Sequence, residues 1–360
     1  MRRTPYICAL NVHVAYPGEP VPGDATPCIV GEHIQFDADG LQTYQTNSWQ
    51  PIVHDAMLVT AAVEACDLSR ARASMDWGRQ FRVRVPVHDE ALWNSPAVKD
   101  SLVRALKMLT GDEWNFTFVQ TAKPQSGPVQ SHFGFPEDVD TVIPFSDGLD
   151  SRAVSTVIER TRSEKMIRVR VGSKKISRPG PGEPIQPFAN VPFLVRRIKS
   201  GNGESSGRSR GFKFAMLSGI AAYLVGADRI IVPESGQGAL GPVLVSLGQS
   251  CLDRRTHPQY TSLMSEFFEA LIETRIQFEH PVLWNTKGES LAAYKALVEG
   301  DDIWKETRSC WKDARHASVN GDHRQCGICA ACMLRRTSLH AAGYAEAPSM
   351  YIWEDQSASD

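Results

Sequence analysis

The order of apolar and helical segments after Thr141 constrains the fold of this chain most strongly. Short apolar or β-branched runs alternate there with stretches that carry apolar residues at helical spacing. The predicted strands are residues 141–145, 166–171, 191–195 and 229–232, and predicted helices begin near Ser151 and Phe212. Parallel strands need crossover connections, which helices usually supply. The pattern therefore predicts an α/β fold with a doubly wound parallel sheet.

The first 135 residues have a different pattern. Strand-like alternation occurs at 7–14, 79–87 and 114–120, and apolar residues have helical spacing at 53–66 and 97–109. We predict an N-terminal α+β appendage over 1–135 with a structural or partner-binding role. His13, His54 and His88 are isolated in this sequence, and we interpret them as surface or core residues rather than ligands.

Composition limits the classes of function. Hydrophobic residues make up 42% and charged residues 22% of the 360 residues, which is typical of a globular protein and not of a disordered one. The formal charge of −2 gives no global reason to bind nucleic acid or an anionic membrane. The longest apolar stretch, 215–227, is too short to span a bilayer, and the polar residues that follow Arg2 and Arg3 do not fit a signal peptide. We therefore expect a cytoplasmic protein without membrane contact.

A tight polar turn follows the predicted strand at 141–145. It consists of Ser146, Asp147, Gly148, Leu149, Asp150 and Ser151. Gly148 allows close backbone approach, and a helix that starts here presents free N–H groups and its positive dipole end to an anion. Asp150 in such a site either holds Mg²⁺ on a di- or triphosphate or caps the helix. The turn indicates a phosphate site, with a capped helix as the structural alternative.

Two arginines are candidates for the rest of a triphosphate. Arg208 and Arg210 lie in the sequence GRSRGF, just before the helix predicted from Phe212. Arginine binds phosphate oxygens in a bidentate manner. The alternative for this stretch is a solvated, flexible Gly/Ser loop.

A cysteine cluster predicts a metal site near the C-terminus. Its members are Cys310, Cys326, Cys329 and Cys332, enough thiolates for a closed tetrahedral Zn²⁺ site. A disulfide pair is disfavoured in a reducing compartment. A [4Fe–4S] cluster is the stronger rival, but Arg336 stands where the fourth cysteine of the ferredoxin run would fall. We predict a C-terminal zinc-binding segment over 306–345 and a tail over 346–360, docked by Tyr351 and Trp353.

These motifs together resemble a known family. SDGLDS at 146–151 resembles the SGGxDS loop of the ATP pyrophosphatase (PP-loop) superfamily, whose members cleave ATP between the α and β phosphates. With the C…CGxCxxCxxR segment, the chain resembles the 7-cyano-7-deazaguanine synthase (QueC) family of the queuosine pathway. The matching pieces are 146–151, 208–235, 280–290, which we expect to be strand-like, and 307–343. The resemblance implies a PP-loop ATP-binding domain over 136–305.

The resemblance also implies an activity and its residues. ATP would adenylate the carboxylate of 7-carboxy-7-deazaguanine, ammonia would displace AMP to give an amide, and a second activation would give the nitrile. The implied cofactors are ATP, Mg²⁺ and Zn²⁺. The implied catalytic residues are Asp150, Ser151 and Arg208, and the implied substrate contacts are Glu234, Ser235, Asp253 and Arg254.

Departures from the family leave alternatives open. Asp147 stands where the family usually has glycine, the interval from Cys310 to Cys326 is longer, and residues 1–135 have no counterpart in the minimal synthase. These features resemble QueC-like proteins of bacterial anti-phage operons, which are thought to attach the deazaguanine to a partner protein through an amine other than ammonia. In that case the appendage would bind the protein partner. A tRNA-modifying PP-loop enzyme and an inactive nucleotide-binding scaffold are further alternatives, and a homodimer is expected at the family level.

Overall fold

A computed structural model of the chain divides into two compact units. The larger unit comprises Met1–Pro144, Lys165–Val232 and Leu240–Glu279, and the smaller comprises Phe145–Glu164, Pro233–Ala239 and His280–Asp360. The structure describes residues 9–36, 50–72, 78–122, 138–146, 148–172, 188–199, 203–204, 207–241, 252–298, 300, 305, 307–312, 316–355 and 357. The predicted domain boundary at 135 lies outside the described residues, and the domain limits stay a prediction.

Strands and helices alternate along most of the described chain. In order they are β1 (Leu10–Ala15), β2 (Thr26–Ile29), β3 (Ile34–Phe36), α1 (Pro51–Ser69), β4 (Gln80–Val87), α2 (Glu90–Asn94), α3 (Pro96–Thr110), β5 (Glu113–Gln120), β6 (Thr141–Pro144), α4 (Leu149–Arg162), β7 (Met166–Val169), β8 (Phe193–Val195), α5 (Arg210–Val225), β9 (Arg229–Ile231), α6 (Gly236–Ala239), α7 (Pro258–Ile272), β10 (Gln277–Glu279), α8 (Lys287–Leu297), β11 (Ser318–Val319), β12 (Asp322–His323) and α9 (Ala330–Ala341). A 3₁₀ helix follows at Pro348–Met350. Among the helices that the structure describes, none is long and apolar enough to cross a membrane.

The N-terminal sheet of the larger unit is parallel throughout. Its strand order is β2-β1-β4-β5, and each neighbouring pair runs in the same direction. The predicted α+β arrangement was therefore wrong, because parallel strands joined through helices form an α/β sheet. The α+β arrangement was predicted because buried and exposed residues alternate along β4 and β5. This pattern is more typical of antiparallel sheets with one face in water.

Aromatic pairing fixes the register of β4 and β5. Phe81 lies opposite Trp114, and their ring centroids are 4.6 Å apart. Phe116 and Phe118 continue the same buried face of β5, each almost parallel to its neighbour. Such cross-strand aromatic and β-branched pairs are the main stabilising contacts of a sheet. The buried face of β4 and β5 is therefore part of the core of the larger unit.

The second sheet of the larger unit is also parallel, with the order β10-β9-β6-β7. This confirms the coarser prediction of an α/β fold with parallel sheets and helices. The strand predicted at 191–195 is present in part as β8, which pairs antiparallel with β3, whereas Val191 before it forms a parallel bridge with Val171, just after β7. The chain passes from β6 to β7 on one side and later to β9 on the other side of β6. In open α/β sheets, ligands bind beyond the carboxyl ends of the strands at such a reversal.

Three helices form the apolar centre of the smaller unit. α4 packs against α8, and α8 packs against α9. The buried residues that these helices share are Leu149, Ala153, Leu291, Tyr294 and Leu339. A side chain at position 288 would lie 3.0 Å from the Cβ of Ala341, so Gly288 allows the first turn of α8 to approach α9 closely. The start of α8 is therefore held against the end of α9.

Candidate active site and metal centre

The loop that follows β6 enters α4 through Gly148. Gly148 is the N-cap residue, and its N–H donates to the Ser146 hydroxyl oxygen at 3.3 Å. The Ser151 hydroxyl donates to the carbonyl oxygen of Gly148 at 3.1 Å. Because glycine brings no capping side chain, no side chain at the N-cap satisfies the first N–H groups of α4. Helix starts of this kind bind anions well.

The remaining predicted residues of this loop differ in what they can offer. The side chain of Leu149 is buried in the apolar centre of the smaller unit, so its contribution to a phosphate site would be its backbone N–H. Asp150 lies in the first turn of α4 but is not the N-cap residue, so the helix-capping alternative for it was wrong. Asp147 lies outside the described residues.

Asp150 forms an ion pair with Lys287, which the sequence analysis did not select. The Nζ of Lys287 donates to Oδ2 of Asp150 at 2.6 Å, and the two side chains are 14% and 23% exposed. Burial alone lowers the pKa of Lys287, but the carboxylates of Asp150 and Glu234 and the hydrogen bond to Asp150 outweigh burial and raise it. Lys287 is therefore a cation at neutral pH, held at the start of α4.

A capping box positions Lys287 at the start of α8. The Thr286 hydroxyl accepts a hydrogen bond from the Glu289 N–H at 3.2 Å, and the Glu289 carboxylate accepts one from the Thr286 N–H at 2.7 Å. The Lys287 N–H donates to Oε1 of Gln237 at 3.0 Å. The expectation of a strand at 280–290 was wrong, because β10 ends at Glu279 and this segment turns and begins a helix. The T-x-x-E spacing is the sequence signal that could have placed Lys287 at a helix start.

We expect Thr286→Ala to lower the free energy of unfolding by about 1 kcal/mol at neutral pH, because it removes the cap of α8. The hydrogen bonds from the Thr286 N–H and hydroxyl lower the pKa of Glu289. The contribution of Glu289 is therefore present above its unfolded-state pKa and is lost as the pH falls through its folded-state pKa.

Urea unfolding of wild type, Thr286→Ala and Glu289→Gln tests this, measured at neutral pH and at about pH 3, which is below the usual pKa of a glutamate in an unfolded chain. The stability difference between wild type and Glu289→Gln should shrink at the lower pH. An unchanged difference at the two pH values would contradict the role of the ionised carboxylate.

Glu234 and Ser235 follow β9 and belong to the smaller unit. Glu234 contributes to the field that raises the pKa of Lys287. Ser235 is 1% exposed, and its carbonyl oxygen accepts hydrogen bonds from the N–H groups of Gly238 and Ala239 in α6. The buried hydroxyl of Ser235 has no hydrogen-bond partner within the described part of the chain. A buried hydroxyl of this kind is available to a ligand.

The other predicted phosphate and substrate contacts belong to the larger unit. They are Arg208, Arg210, Asp253 and Arg254. Arg208 donates to the carbonyl oxygen of Leu252 at 3.2 Å, and Asp253 forms an ion pair with Arg255 at 2.7 Å. Burial and then the charge of Arg255 lower the pKa of Arg210, while Asp253 acts in the opposite direction. The ligand roles of these residues stay predictions.

The four predicted cysteine ligands come together in the smaller unit. The Sγ atoms of Cys310, Cys326, Cys329 and Cys332 all lie within 4.8 Å of one another. Cys326 Sγ and Cys332 Sγ are 3.9 Å apart, whereas disulfide sulfurs are about 2.0 Å apart, so these are free thiols. Sulfurs at about 2.3 Å from a tetrahedral Zn²⁺ are about 3.8 Å from one another. The donor set therefore fits zinc with little movement.

Backbone N–H groups of the cluster point at sulfur. Cys326 N–H donates to the Sγ of Cys310, and Cys329 N–H donates to the Sγ of Cys326, both at 3.3 Å. Burial raises the pKa of Cys329, but hydrogen bonds from backbone N–H groups and neighbouring thiols lower it to about 7. Gly327 has a φ of +90°, which favours glycine, and a side chain there would lie 2.6 Å from the Trp353 carbonyl oxygen. The turn is thus shaped for thiolate ligands.

The C-terminal residues support this cluster. Tyr351 is 1% exposed and packs on Cys326 and Cys332, and its hydroxyl donates to the carboxylate of Glu346. The same carboxylate accepts a hydrogen bond from Nε of the buried Arg335 at 2.8 Å. The docking of Tyr351 was expected, but the Trp353 side chain is 57% exposed, so its predicted docking was wrong.

One comparison with known proteins bears on this arrangement. The QueC family model matches residues 244–343. That model describes the queuosine biosynthesis protein QueC, and the matched segment contains Lys287 and all four cysteines. This part of the chain is therefore similar to QueC, and it contains a cysteine cluster able to bind zinc. The loop at 146–151 lies outside the matched residues, and no curated protein matches the chain.

Proposed function

We propose that the chain is an ATP-dependent ligase- or synthase-type enzyme of the PP-loop superfamily that adenylates the carboxylate of 7-carboxy-7-deazaguanine. The observation that carries this proposal is the Asp150–Lys287 pair at the N-terminus of α4. It joins a polar loop of the phosphate-binding kind to a lysine within the residues that are similar to QueC. The combination supports ATP chemistry more strongly than either part alone.

The proposed reaction has two activations. The substrate carboxylate attacks the α-phosphorus of ATP, the bond to the β-phosphate oxygen breaks, and an acyl adenylate and pyrophosphate form. An amine attacks the acyl carbon, and AMP leaves with the former carboxylate oxygen, which gives an amide. If the amine is ammonia, adenylation of the amide oxygen by a second ATP, with release of pyrophosphate, and then loss of AMP and of both amide protons give the nitrile. Adenylation is needed because an unactivated carboxylate oxygen is a poor leaving group.

The residues of the smaller unit have distinct roles in this proposal. The N–H groups at the start of α4 and the cation of Lys287 would stabilise the negative charge that moves onto the phosphates. Asp150 would hold Lys287 in place, and Ser146 and Ser151 would hold the loop through Gly148. Ser235, with its buried hydroxyl, would contact the deazaguanine base. Arg208, Arg210, Asp253 and Arg254 stay predictions as further contacts.

Two metal ions belong to the proposal. The carboxylates of Asp150 and Glu234 in the smaller unit are the oxygen ligands that Mg²⁺ prefers, and Mg²⁺ would supply charge neutralisation on the leaving pyrophosphate. The four cysteines fit Zn²⁺, which would hold the C-terminal segment without an open coordination position. Four reduced thiols also fit the proposed cytoplasmic location.

A direct assay tests the proposed function. The purified chain is incubated with ATP, Mg²⁺, 7-carboxy-7-deazaguanine and ammonium, and AMP and deazaguanine products are followed by mass spectrometry. We expect AMP and a nitrile or amide product, both lost in Asp150→Ala and retained in Asp322→Ala, an exposed aspartate of the same unit. Absence of AMP under these conditions would contradict the proposal and favour the inactive scaffold. AMP formation that requires tRNA would favour the tRNA-modifying alternative.

A second candidate function is conjugation of the deazaguanine to a protein. The observation that favours it is the four-stranded N-terminal sheet, which lies outside the residues similar to QueC and exposes alternate residues of β4 and β5. An amine of the partner would then replace ammonia as the nucleophile, as proposed for the anti-phage relatives. In the same assay, AMP without a free nitrile, and a mass increase on an added partner protein, would favour this reaction. The homodimer expected at the family level is tested by light scattering.

A further inference from the structure

Two histidines that are isolated in the sequence meet a buried carboxylate in the larger unit. The ligand atoms of His54, Asp55 and His88 all lie within 4.8 Å of one another. Oδ1 of Asp55 is 2.7 Å from Nδ1 of His88 and 3.7 Å from Nδ1 of His54. His54 and His88 are therefore neighbours in space, although they are isolated in the sequence. No role in the proposed ATP chemistry requires this cluster.

The cluster lies where this kind of sheet binds ligands. In the N-terminal sheet the chain passes from β1 to β2 on one side and later to β4 on the other side of β1. Tyr16 follows the carboxyl end of β1, and His88 follows the carboxyl end of β4. His54 and Asp55 come from the first turns of α1. The cluster is thus formed at the reversal of strand order in a parallel sheet.

The surrounding contacts orient the three side chains. Oδ2 of Asp55 accepts a hydrogen bond from the His88 N–H at 2.8 Å, which turns Oδ1 toward the imidazoles. The Tyr16 hydroxyl is 3.4 Å from Nε2 of His54. Metal-bound histidines commonly have their second nitrogen held in this way. The Asp55 side chain is 1% exposed, whereas that of His54 is 18% exposed, which leaves a route for an ion.

We propose that His54, Asp55 and His88 bind a divalent transition-metal ion, with Zn²⁺ as the probe. Two imidazoles and one carboxylate are a common donor set for zinc and for other divalent first-row metals. The ion would take the place of the proton between Oδ1 of Asp55 and Nδ1 of His88, and that proton would move to Nε2 of His88, so that the ligating imidazole stays neutral. Three protein ligands leave a coordination position for water. This site is separate from the cysteine cluster in its residues and in its donor type.

Zinc content per chain tests the proposal. Full-length protein is equilibrated with Zn²⁺, dialysed, and analysed by mass spectrometry of the metal. We expect His88→Ala and His54→Ala each to contain one zinc fewer than wild type. The control His13→Ala, which changes a histidine of β1 outside the cluster, should equal wild type. Cys329→Ser should lose the cysteine-bound zinc and keep the histidine-bound one.

Two further measurements distinguish the loss of a zinc ligand from misfolding of a variant. Tyr16→Phe keeps all three ligands and should weaken Zn²⁺ binding about tenfold in a chelator competition, since it removes an orienting contact. In absorption spectra of the Co²⁺-loaded proteins, wild type and Cys329→Ser should each show bands of a bound Co²⁺ that lacks thiolate-to-metal charge transfer. His88→Ala should lack these bands. Equal zinc content in wild type, His54→Ala and His88→Ala would overturn the proposal, whatever the outcome of the ATP assay.

Discussion

Replacement of Lys287 by methionine is expected to slow the conversion of ATP to AMP by about 100- to 1,000-fold, the usual cost of removing a charge-stabilising donor. Methionine keeps much of the length of the side chain but removes its charge. The carboxylates of Asp150 and Glu234, which raise the pKa of Lys287, would then face the incoming phosphates with only the proposed Mg²⁺, and no ammonium group, to offset their charge. Repulsion would add to the lost attraction. The rate of AMP formation at saturating ATP measures this effect.

Two controls separate the charge at this position from its packing. Lys287→Arg keeps a cation and should recover part of the lost rate. Lys295→Met removes an exposed lysine from the same helix and should leave the rate within about twofold of wild type, because exposed ion pairs and hydrogen bonds contribute little. Wild-type AMP formation by Lys287→Met would rule out the proposed role of the Asp150–Lys287 pair.

The sequence predicts those features of the site that depend on neighbours in the chain. The turn at 146–151 and the cysteine spacing are short-range patterns, and the structure contains a polar helix start and a convergent thiol cluster at these positions. Lys287 was missed because its partner Asp150 lies 137 residues away. The segment 280–290, which contains Lys287, was also assigned to a strand, although the capping box predicts a helix start within it.

The N-terminal region shows a different limit of sequence interpretation. Alternation of apolar and polar residues reports that one face of a strand is buried, and it does not report the direction of the neighbouring strand. β4 and β5 were therefore assigned to strands correctly, but their parallel pairing was not predicted. His54 and His88 illustrate the same point, because the two residues are far apart in the sequence and meet where the end of β4 lies near the start of α1. The direction of strand pairing and the meeting of the two histidines both depend on contacts between residues far apart in the chain, and not on local propensity.

The cysteine cluster makes the largest stability prediction. Cys332→Ser removes a buried zinc ligand. We expect this variant to bind one zinc ion fewer and the free energy of unfolding of its smaller unit to fall by about 5 kcal/mol or more. The reason is that structural zinc contributes about 10–16 kcal/mol to folding in small zinc-binding peptides. Hydrogen exchange with peptide resolution measures this: amides at 316–355 should lose protection, and excess chelator should reproduce the loss in wild type. Cys66→Ala is the matched control, because it removes a buried thiol of the larger unit and should cost only about 1 kcal/mol without loss of zinc.

If Cys332→Ser kept both its zinc and the protection of these amides, the cysteines would not be the zinc ligands. If it lost only the zinc, the hydrogen bonds of Arg335 and Tyr351 to Glu346 would be sufficient to hold the segment without the metal.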